Sequence, residues 1–158
     1  MQNRIPDEIL LQVEKPARYT GNEINMVIKD PTKVDIRFGF CFPDVYEVGM
    51  SHLGLQILYY FLNRREDTYC ERVFAPWTDL EEKMRKCHIP LFSIETQQDV
   101  KQFDFLGFTL QYEMSYTNVL NMLDLAAIPL FAKDRTENDP IIVCGGSCAY
   151  NPEPLADF

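Results

Sequence analysis

Two glycines, a serine and a histidine lie close together in residues 49–54, within the sequence Gly-Met-Ser-His-Leu-Gly. Glycines let a backbone approach a bulky ligand closely, and a neutral histidine is a common metal ligand. The glycine spacing is that of a phosphate loop, but Leu55 and Gln56 occupy the places where a nucleoside triphosphatase needs lysine and serine or threonine. The segment therefore predicts a ligand-contacting loop without triphosphate chemistry. His52 either ligates a metal or hydrogen-bonds a neighbouring loop.

Two cysteines, Cys144 and Cys148, are separated by three residues near the end of the chain. A 4Fe-4S cluster of CxxxCxxC spacing would need a third thiolate at position 151, which is Asn151. The sequence thus predicts no cluster here. We interpret Cys144 as the buried end of a strand and Cys148 as a loop thiol. All five cysteines are irregularly spaced, which favours a reducing compartment and a cytoplasmic protein.

Residues 111–117 form a dense polar segment with an amide, two phenols, a carboxylate and hydroxyls. Two interpretations remain open: contact with a ligand or another domain, or capping of a helix by Ser115 with the tyrosines on the surface. Asp44, Glu47, Glu113 and Glu153 also lie near predicted strand ends. Without distances they cannot be paired as general acid and base.

These segments follow alternating strands and helices. The pattern predicts strands at 34–42, 72–75, 104–110 and 140–146, and helices at 53–62, 78–87 and 116–126. The first helix should place its apolar residues on one side, and Ser51, a Thr78 to Glu81 capping box and Ser115 are the expected caps. The last two strands are apolar runs typical of strands buried on both faces.

This alternation predicts an α/β fold: a Rossmann-like (flavodoxin-like) parallel sheet with helices on both faces. About four strands are expected, with the chain ending before the fifth. Ligands of such sheets bind beyond the carboxyl ends of the strands. We expect a domain over 34–158, preceded by a polar arm over 1–33 that could hold a short helix beginning at Pro6.

The composition is that of one ordinary globular domain, with 158 residues, 46% hydrophobic and 25% charged. The net charge of -9 and the absence of any Lys/Arg run longer than two residues disfavour nucleic-acid binding. No segment has the length or apolarity of a secretion signal or a membrane helix, so no membrane contact is expected.

Five longer motifs cover most of the chain. They are VEKPARY at 13–19, FPDVYEVGMSHLGL at 42–55, ERVFAPW at 71–77, GFTLQYE at 107–113 and GGSCAYNPEPLAD at 145–157. They resemble the start of a family of uncharacterised radical-SAM proteins with an N-terminal cobalamin-binding-like domain. The resemblance implies that a radical-SAM barrel follows this domain, is its partner, and carries the 4Fe-4S cluster and S-adenosylmethionine.

For this domain, the resemblance implies a corrinoid or substrate held at the strand-end loops, with no catalysis of its own and no protein metal site. Aligning the cobalamin motif Asp-x-His-x-x-Gly on His52 puts Met50 at the Asp and Leu55 at the Gly, so the carboxylate that would orient the ring is missing. Similar proteins would bind cobalamin without a protein histidine. The expected contact residues are Tyr46, Gly49, Ser51, His52, Gln111, Tyr112, Ser115, Gly145 and Gly146.

A second interpretation from the same residues is a Rossmann domain that has no cofactor and serves to dock the barrel or another protein. A flavin-binding domain is disfavoured, because the first loop is not the Ser/Thr-rich phosphate cradle that flavin mononucleotide would need.

Overall fold

Four parallel strands form the centre of the fold. They are β1 (Ile36–Phe42), β2 (Thr68–Phe74), β3 (Phe105–Thr109) and β4 (Ile141–Gly145), in the order β2-β1-β3-β4. The computed structural model describes residues 5–158. Phe38 of β1 pairs with Cys70 on one side and Phe105 on the other. The predicted α/β parallel sheet is confirmed.

The strands are connected by helices that pack on both faces. The helices are α1 (Asp7–Leu10), α2 (Tyr46–Ser51), α3 (Leu53–Asn63), α4 (Thr78–Cys87) and α5 (Tyr116–Leu125). The residues of α2 were expected to form a loop. Gly49 lowers the intrinsic helix propensity of this segment, and packing of α2 against Phe42 and Phe74 of the sheet stabilises it instead.

Two apolar layers follow from the alternation of side chains along each strand. In β1, Phe40 and Phe42 face the layer that contains Leu55 and Tyr59 of α3. The intervening Cys41 faces the layer on the opposite side, which α4 and α5 cover. This second layer includes Val73, Leu80, Met84, Leu106, Phe108, Val119, Met122 and Leu123.

The N-terminal arm packs against the sheet. Helix α1 lies directly after Pro6, and Leu10, Val13 and Tyr19 are buried in the layer that α4 and α5 cover. The Tyr19 hydroxyl also accepts a hydrogen bond from Trp77 N at 3.1 Å. The arm is polar in overall composition, yet several of its apolar residues belong to the core.

The predicted helix caps differ from those observed. His52 caps α3, because its Nδ1 accepts a hydrogen bond from Leu55 N at 3.1 Å. Ser51 is already the last residue of α2, and its hydroxyl donates to Val48 O. Thr78 is already the first residue of α4, after the cap residue Trp77, so the capping box is absent. Ser115 precedes α5 without a side-chain capping bond.

The expectation that β4 is buried on both faces is wrong. Ile141 is 57% exposed and Val143 is 40% exposed, because β4 lies at the edge beside β3 and, unlike the other edge strand β2, is left largely uncovered by residues 5–158. For the same reason Cys144 is exposed and is not the buried strand end that its apolar neighbours suggested. Cys148 is buried instead, in a short 3₁₀ turn after β4.

The second strand begins earlier than the pattern predicted. Thr68, Glu71 and Arg72 are polar, yet all three are buried. Their side chains find partners inside the protein, and Glu71 and Arg72 interrupt the apolar pattern in the middle of the strand. Among residues 5–158, no helix is long and apolar enough to cross a membrane.

Candidate site at the carboxyl edge of the sheet

The strand order creates a topological switch point between the ends of β1 and β3. The chain leaves β1 for β2 on one side and then returns to β3 on the other side. The connections that follow β1 and β3 therefore diverge, and such a switch point is where open α/β sheets bind ligands. Residues 43–52 follow β1, and residues 110–115 follow β3.

Polar contacts join the segments that follow β1 and β3 at this switch point. The Tyr112 hydroxyl lies 3.4 Å from Asp44 Oδ2, a long and therefore weak hydrogen bond. The other carboxylate oxygen of Asp44 accepts from Val45 N at 2.7 Å, which orients the side chain at the start of α2. Asn118 donates to the carbonyl of Pro43 at 2.9 Å. The exposed ring of Tyr112 thus lies over the switch point.

The turn after β4 joins the same edge. The Ser147 hydroxyl donates to Gln111 O at 3.0 Å, and Cys148 N donates to Leu110 O at 3.1 Å. Gly146 has a φ of 99°, and a Cβ there would lie 2.5 Å from the carbonyl oxygen of Leu110, so this turn requires glycine. Three loops therefore meet. We call the group formed by Asp44, Gln111, Tyr112, Gly145 and Ser147 the strand-end surface.

Gly145 differs from its neighbour. A Cβ on Gly145 would meet no atom within 4 Å, so the backbone here faces open space next to Gln111 and Ser147. Gln111 donates from its amide to the Thr109 hydroxyl, which holds its side chain near the end of β3. A ligand at this edge would meet an exposed backbone flanked by an amide and hydroxyl groups.

The structure brings together only some of the nine predicted contact residues. Gln111, Tyr112 and Gly145 belong to the strand-end surface, and Gly146 shapes the turn beside it. Ser115 lies buried beneath the surface, where its hydroxyl donates to Tyr112 O at 2.7 Å and so orders the loop.

The predicted residues of the first loop serve mainly to hold α2. The Tyr46 hydroxyl donates to Glu23 of the arm at 2.9 Å, and burial raises the pKa of Tyr46 to about 12. Gly49 is buried, and a Cβ there would lie within 2.6 Å of the Phe74 ring and 3.1 Å of Phe42. The glycine is needed for packing. Ser51 is exposed at the end of the helix.

The hydrogen bond of His52 determines which nitrogen carries the proton. Because Nδ1 accepts from Leu55 N, the proton of the neutral ring must be on Nε2. A protonated Nε2 has no lone pair to offer a metal ion. The centroid of the His52 ring also lies 5.2 Å from the centroid of the Phe42 ring. Among residues 5–158, no cluster of three metal-ligating side chains is found.

The sequence did not single out a buried ionic cluster that supports α2. Arg72 is fully buried and donates from Nε to Glu95 Oε1 at 2.6 Å, while its Nη2 lies 3.2 Å from Glu23. Its guanidinium also lies over the Tyr59 ring at 4.5 Å. Since Glu23 accepts from Tyr46, the cluster links β2, the arm and α2.

Asp44, Ser147 and Asn118 were likewise not predicted as contact residues. Of these three residues, Asp44 is the one whose place at the site could have been predicted from the sequence, because it directly follows Pro43 at the end of a predicted strand. Asn118 lies within α5, and nothing in its local sequence indicates that it reaches the end of β1.

The family model described as radical SAM proteins, N-terminal, matches residues 54–158. The chain belongs to this family. An uncharacterized protein of Methanocaldococcus jannaschii is 27% identical over 120 residues, covering 74% of this chain and 21% of the relative. The chain therefore spans about a fifth of that relative's length. No solved structure matches the chain.

The match places most of the strand-end surface inside this radical SAM N-terminal domain. Gln111, Tyr112, Gly145 and Ser147 fall within the matched residues, whereas Asp44 lies before them. The arm with Glu23 also lies before the matched region.

Proposed function

We propose that this domain holds a corrinoid or a substrate on its strand-end surface and presents it to a radical-SAM domain. The observation that carries the proposal is the convergence of three loops at the switch point, through the Tyr112 to Asp44 and Ser147 to Gln111 contacts. Membership in the radical SAM N-terminal family supports the association with radical-SAM chemistry. This domain performs no catalysis itself, and the radical-SAM domain supplies the 4Fe-4S cluster and S-adenosylmethionine.

The donors and acceptors of the surface suit a ligand rich in amides. The Tyr112 and Ser147 hydroxyls donate to Asp44 and to Gln111 O, so their oxygens, like the Asp44 carboxylate, can accept hydrogen bonds from a ligand. A corrinoid carries amide side chains that can engage each of these groups. The open space at Gly145 lets a large ligand approach the backbone. When bound, the corrinoid would supply cobalt-centred reactivity, and this chain would only bind and orient it.

His52 does not fit the role of a cobalt ligand. His52 caps α3 through Nδ1, and the resulting tautomer leaves no lone pair on Nε2. The proposed corrinoid is therefore held by contacts around its periphery, without a cobalt ligand from His52.

We place the protein in the cytoplasm, where thiols such as the exposed Cys87 and Cys144 stay reduced.

Equilibrium dialysis against hydroxocobalamin, read by absorbance, tests the proposal. We expect binding by the wild-type chain and by His52→Ala, and about ten-fold weaker binding by Tyr112→Ala, which corresponds to about 1.4 kcal/mol. Tyr60→Ala is the matched control, because Tyr60 is an exposed tyrosine on α3, away from the strand ends. No binding by the wild-type chain would refute the corrinoid, and loss of binding in His52→Ala would refute binding without histidine.

A second candidate function is docking without a cofactor. The observation that favours it is the outer side of α3, where Leu53 is 71% exposed and Phe61 is 57% exposed. It predicts that no corrinoid binds, while the chain still associates with the radical-SAM domain. A bound corrinoid would contradict it.

A further inference from the structure

Helix α3 has the composition of a helix covered on all sides. None of its eleven residues, Leu53–Asn63, is charged. Helix α4 differs, because its solvent side carries Glu82, Lys86 and other charged residues. The apolar side predicted for α3 is in fact split: Leu55 is buried against the sheet, whereas Leu53, Ile57, Leu58 and Phe61 are exposed. A helix that is apolar all round is normally buried.

The sheet next to α3 has an apolar face that residues 5–158 cover only in part. Residues paired across parallel strands point to the same side, so Phe105, Ile141 and Val143 share the face of Phe38. The Phe38 and Phe105 rings stack at 6.2 Å, and the Cγ2 atom of Val143 lies 3.5 Å from the place of a Cβ on Gly107. We call Phe38, Phe105, Ile141 and Val143 the β3–β4 face.

The β3–β4 face continues the core beneath α3. Phe38 packs against the layer that contains Leu55 and Tyr59, so this layer extends from α3 toward β4. Among residues 5–158, that layer includes residues of α3 but none of α4 or α5. The exposure of Ile141 and Val143 shows that this layer does not extend over β4.

The two edges of the sheet also differ. On β2, the amide of Asn63 bonds both Cys70 N and Cys70 O, while Arg72 N donates to Glu95 and Arg72 O accepts from Ile94 N. That edge is closed by the chain itself. On β4, among residues 5–158, the outward-facing Ile142 and Cys144 backbone groups have no such partners. The open edge therefore adjoins the partly covered β3–β4 face.

We propose that an amphipathic helix of the radical-SAM domain packs on the β3–β4 face, alongside α3. The proposal rests on the radical-SAM association proposed above and specifies the contact surface. The helix presents apolar residues to Ile141 and Val143 on the sheet and to the exposed apolar side of α3. It completes the helical layer on the α3 side of the sheet, in which α2 and α3 cover β1 and β2.

The radical-SAM domain is a better occupant than a second copy of this chain. Each copy has a net charge of -9, which opposes self-association. In the archaeal relative, about four-fifths of the polypeptide lies outside the matched part, which is ample length for a domain that supplies a helix. A segment within the same polypeptide would also bind at a high effective concentration.

Hydrogen exchange measured by mass spectrometry tests this contact in two samples: residues 1–158 alone and the polypeptide that joins them to a radical-SAM domain. We expect β4 amides and α3 amides to exchange about ten-fold more slowly in the longer polypeptide. Val143→Lys should abolish this protection. In residues 1–158 alone, it should leave the thermal midpoint within about 2 °C, because Val143 is exposed there.

Asn25→Lys is the matched control, since it adds the same charge at an exposed arm position. It should leave the protection unchanged. Equal exchange in the two samples would overturn the proposal, as would a dimer of residues 1–158, seen by light scattering, that already protects β4. Because no corrinoid is present, this outcome is independent of the dialysis result. Corrinoid binding with an unprotected β4 would refute only the docking contact.

Discussion

Nε of Arg72 lies 2.6 Å from Oε1 of Glu95, and neither side chain is exposed to solvent. Glu95 also accepts a hydrogen bond from the backbone N of Arg72 at 2.7 Å. One carboxylate therefore binds both the side chain and the backbone of Arg72 at the edge of β2. Through Glu23, the same guanidinium reaches the arm and Tyr46 of α2. A charged pair in the interior thus joins β2 to the arm and to α2.

Removal of the Arg72 side chain should destabilise the domain strongly. In Arg72→Met, Glu95 keeps its burial but loses its cation, and such a loss costs about 3–5 kcal/mol. The double variant Arg72→Met with Glu95→Leu should recover part of the free energy of unfolding, because it leaves no unpaired carboxylate at position 95. Urea unfolding measures both. A cost below about 1 kcal/mol for the single variant would show that the pair contributes little.

Stability should depend on pH through Glu95. Burial raises its pKa to about 7, in opposition to the nearby Arg72, whereas the unfolded chain has an ordinary glutamate. The folded state then binds the extra proton between about pH 4.5 and 7, so this contribution to stability is present at low pH and is lost as the pH rises through 7. Between pH 5.5 and 8 the loss should be about 2 kcal/mol.

The Glu95→Gln variant isolates this effect, since glutamine does not titrate. Its free energy of unfolding should vary less between pH 5.5 and 8 than that of the wild type, measured in urea at both pH values. The same pH dependence in both proteins would assign it to other groups.

His52 should contribute to stability as a helix cap. His52→Ala removes the acceptor for Leu55 N and should cost about 1 kcal/mol in the free energy of unfolding. His52→Asn supplies another acceptor at the cap position and should restore most of that loss. Chemical denaturation compares the three proteins. An alanine variant as stable as the wild type would show that this hydrogen bond contributes nothing to the free energy of unfolding.

The two glycines Gly49 and Gly145 should respond oppositely to alanine. Gly49→Ala places a methyl group against the Phe74 and Phe42 rings and should cost about 1–3 kcal/mol. Gly145→Ala meets nothing within 4 Å and should stay within about 0.5 kcal/mol of the wild type. Thermal unfolding of both variants tests the pair. A tolerated Gly49→Ala would mean that α2 shifts easily on the sheet.

The sequence alone was enough to predict the parallel α/β sheet, because apolar strands alternating with helical segments have few other ways to bury their surface. It also located α4 and the loop of Gln111 and Tyr112 at the end of β3, since local composition marks both. It could not predict α2, whose glycine disfavours a helix until the rings of Phe42 and Phe74 pack against it.

The exposure of β4 and the roles of His52 and Arg72 depended on the tertiary structure. An apolar run looks the same whether its strand is covered or open, so only the packing around the sheet shows that Val143 is exposed while the other edge strand, β2, is buried. Glu95 lies 23 residues after Arg72 and Glu23 lies 49 residues before it, and no local pattern pairs residues at such distances. Local sequence thus determined the elements of the fold. Long-range packing decided which side chains lie on the strand-end surface, which are exposed on α3 and β4, and which are buried beneath them.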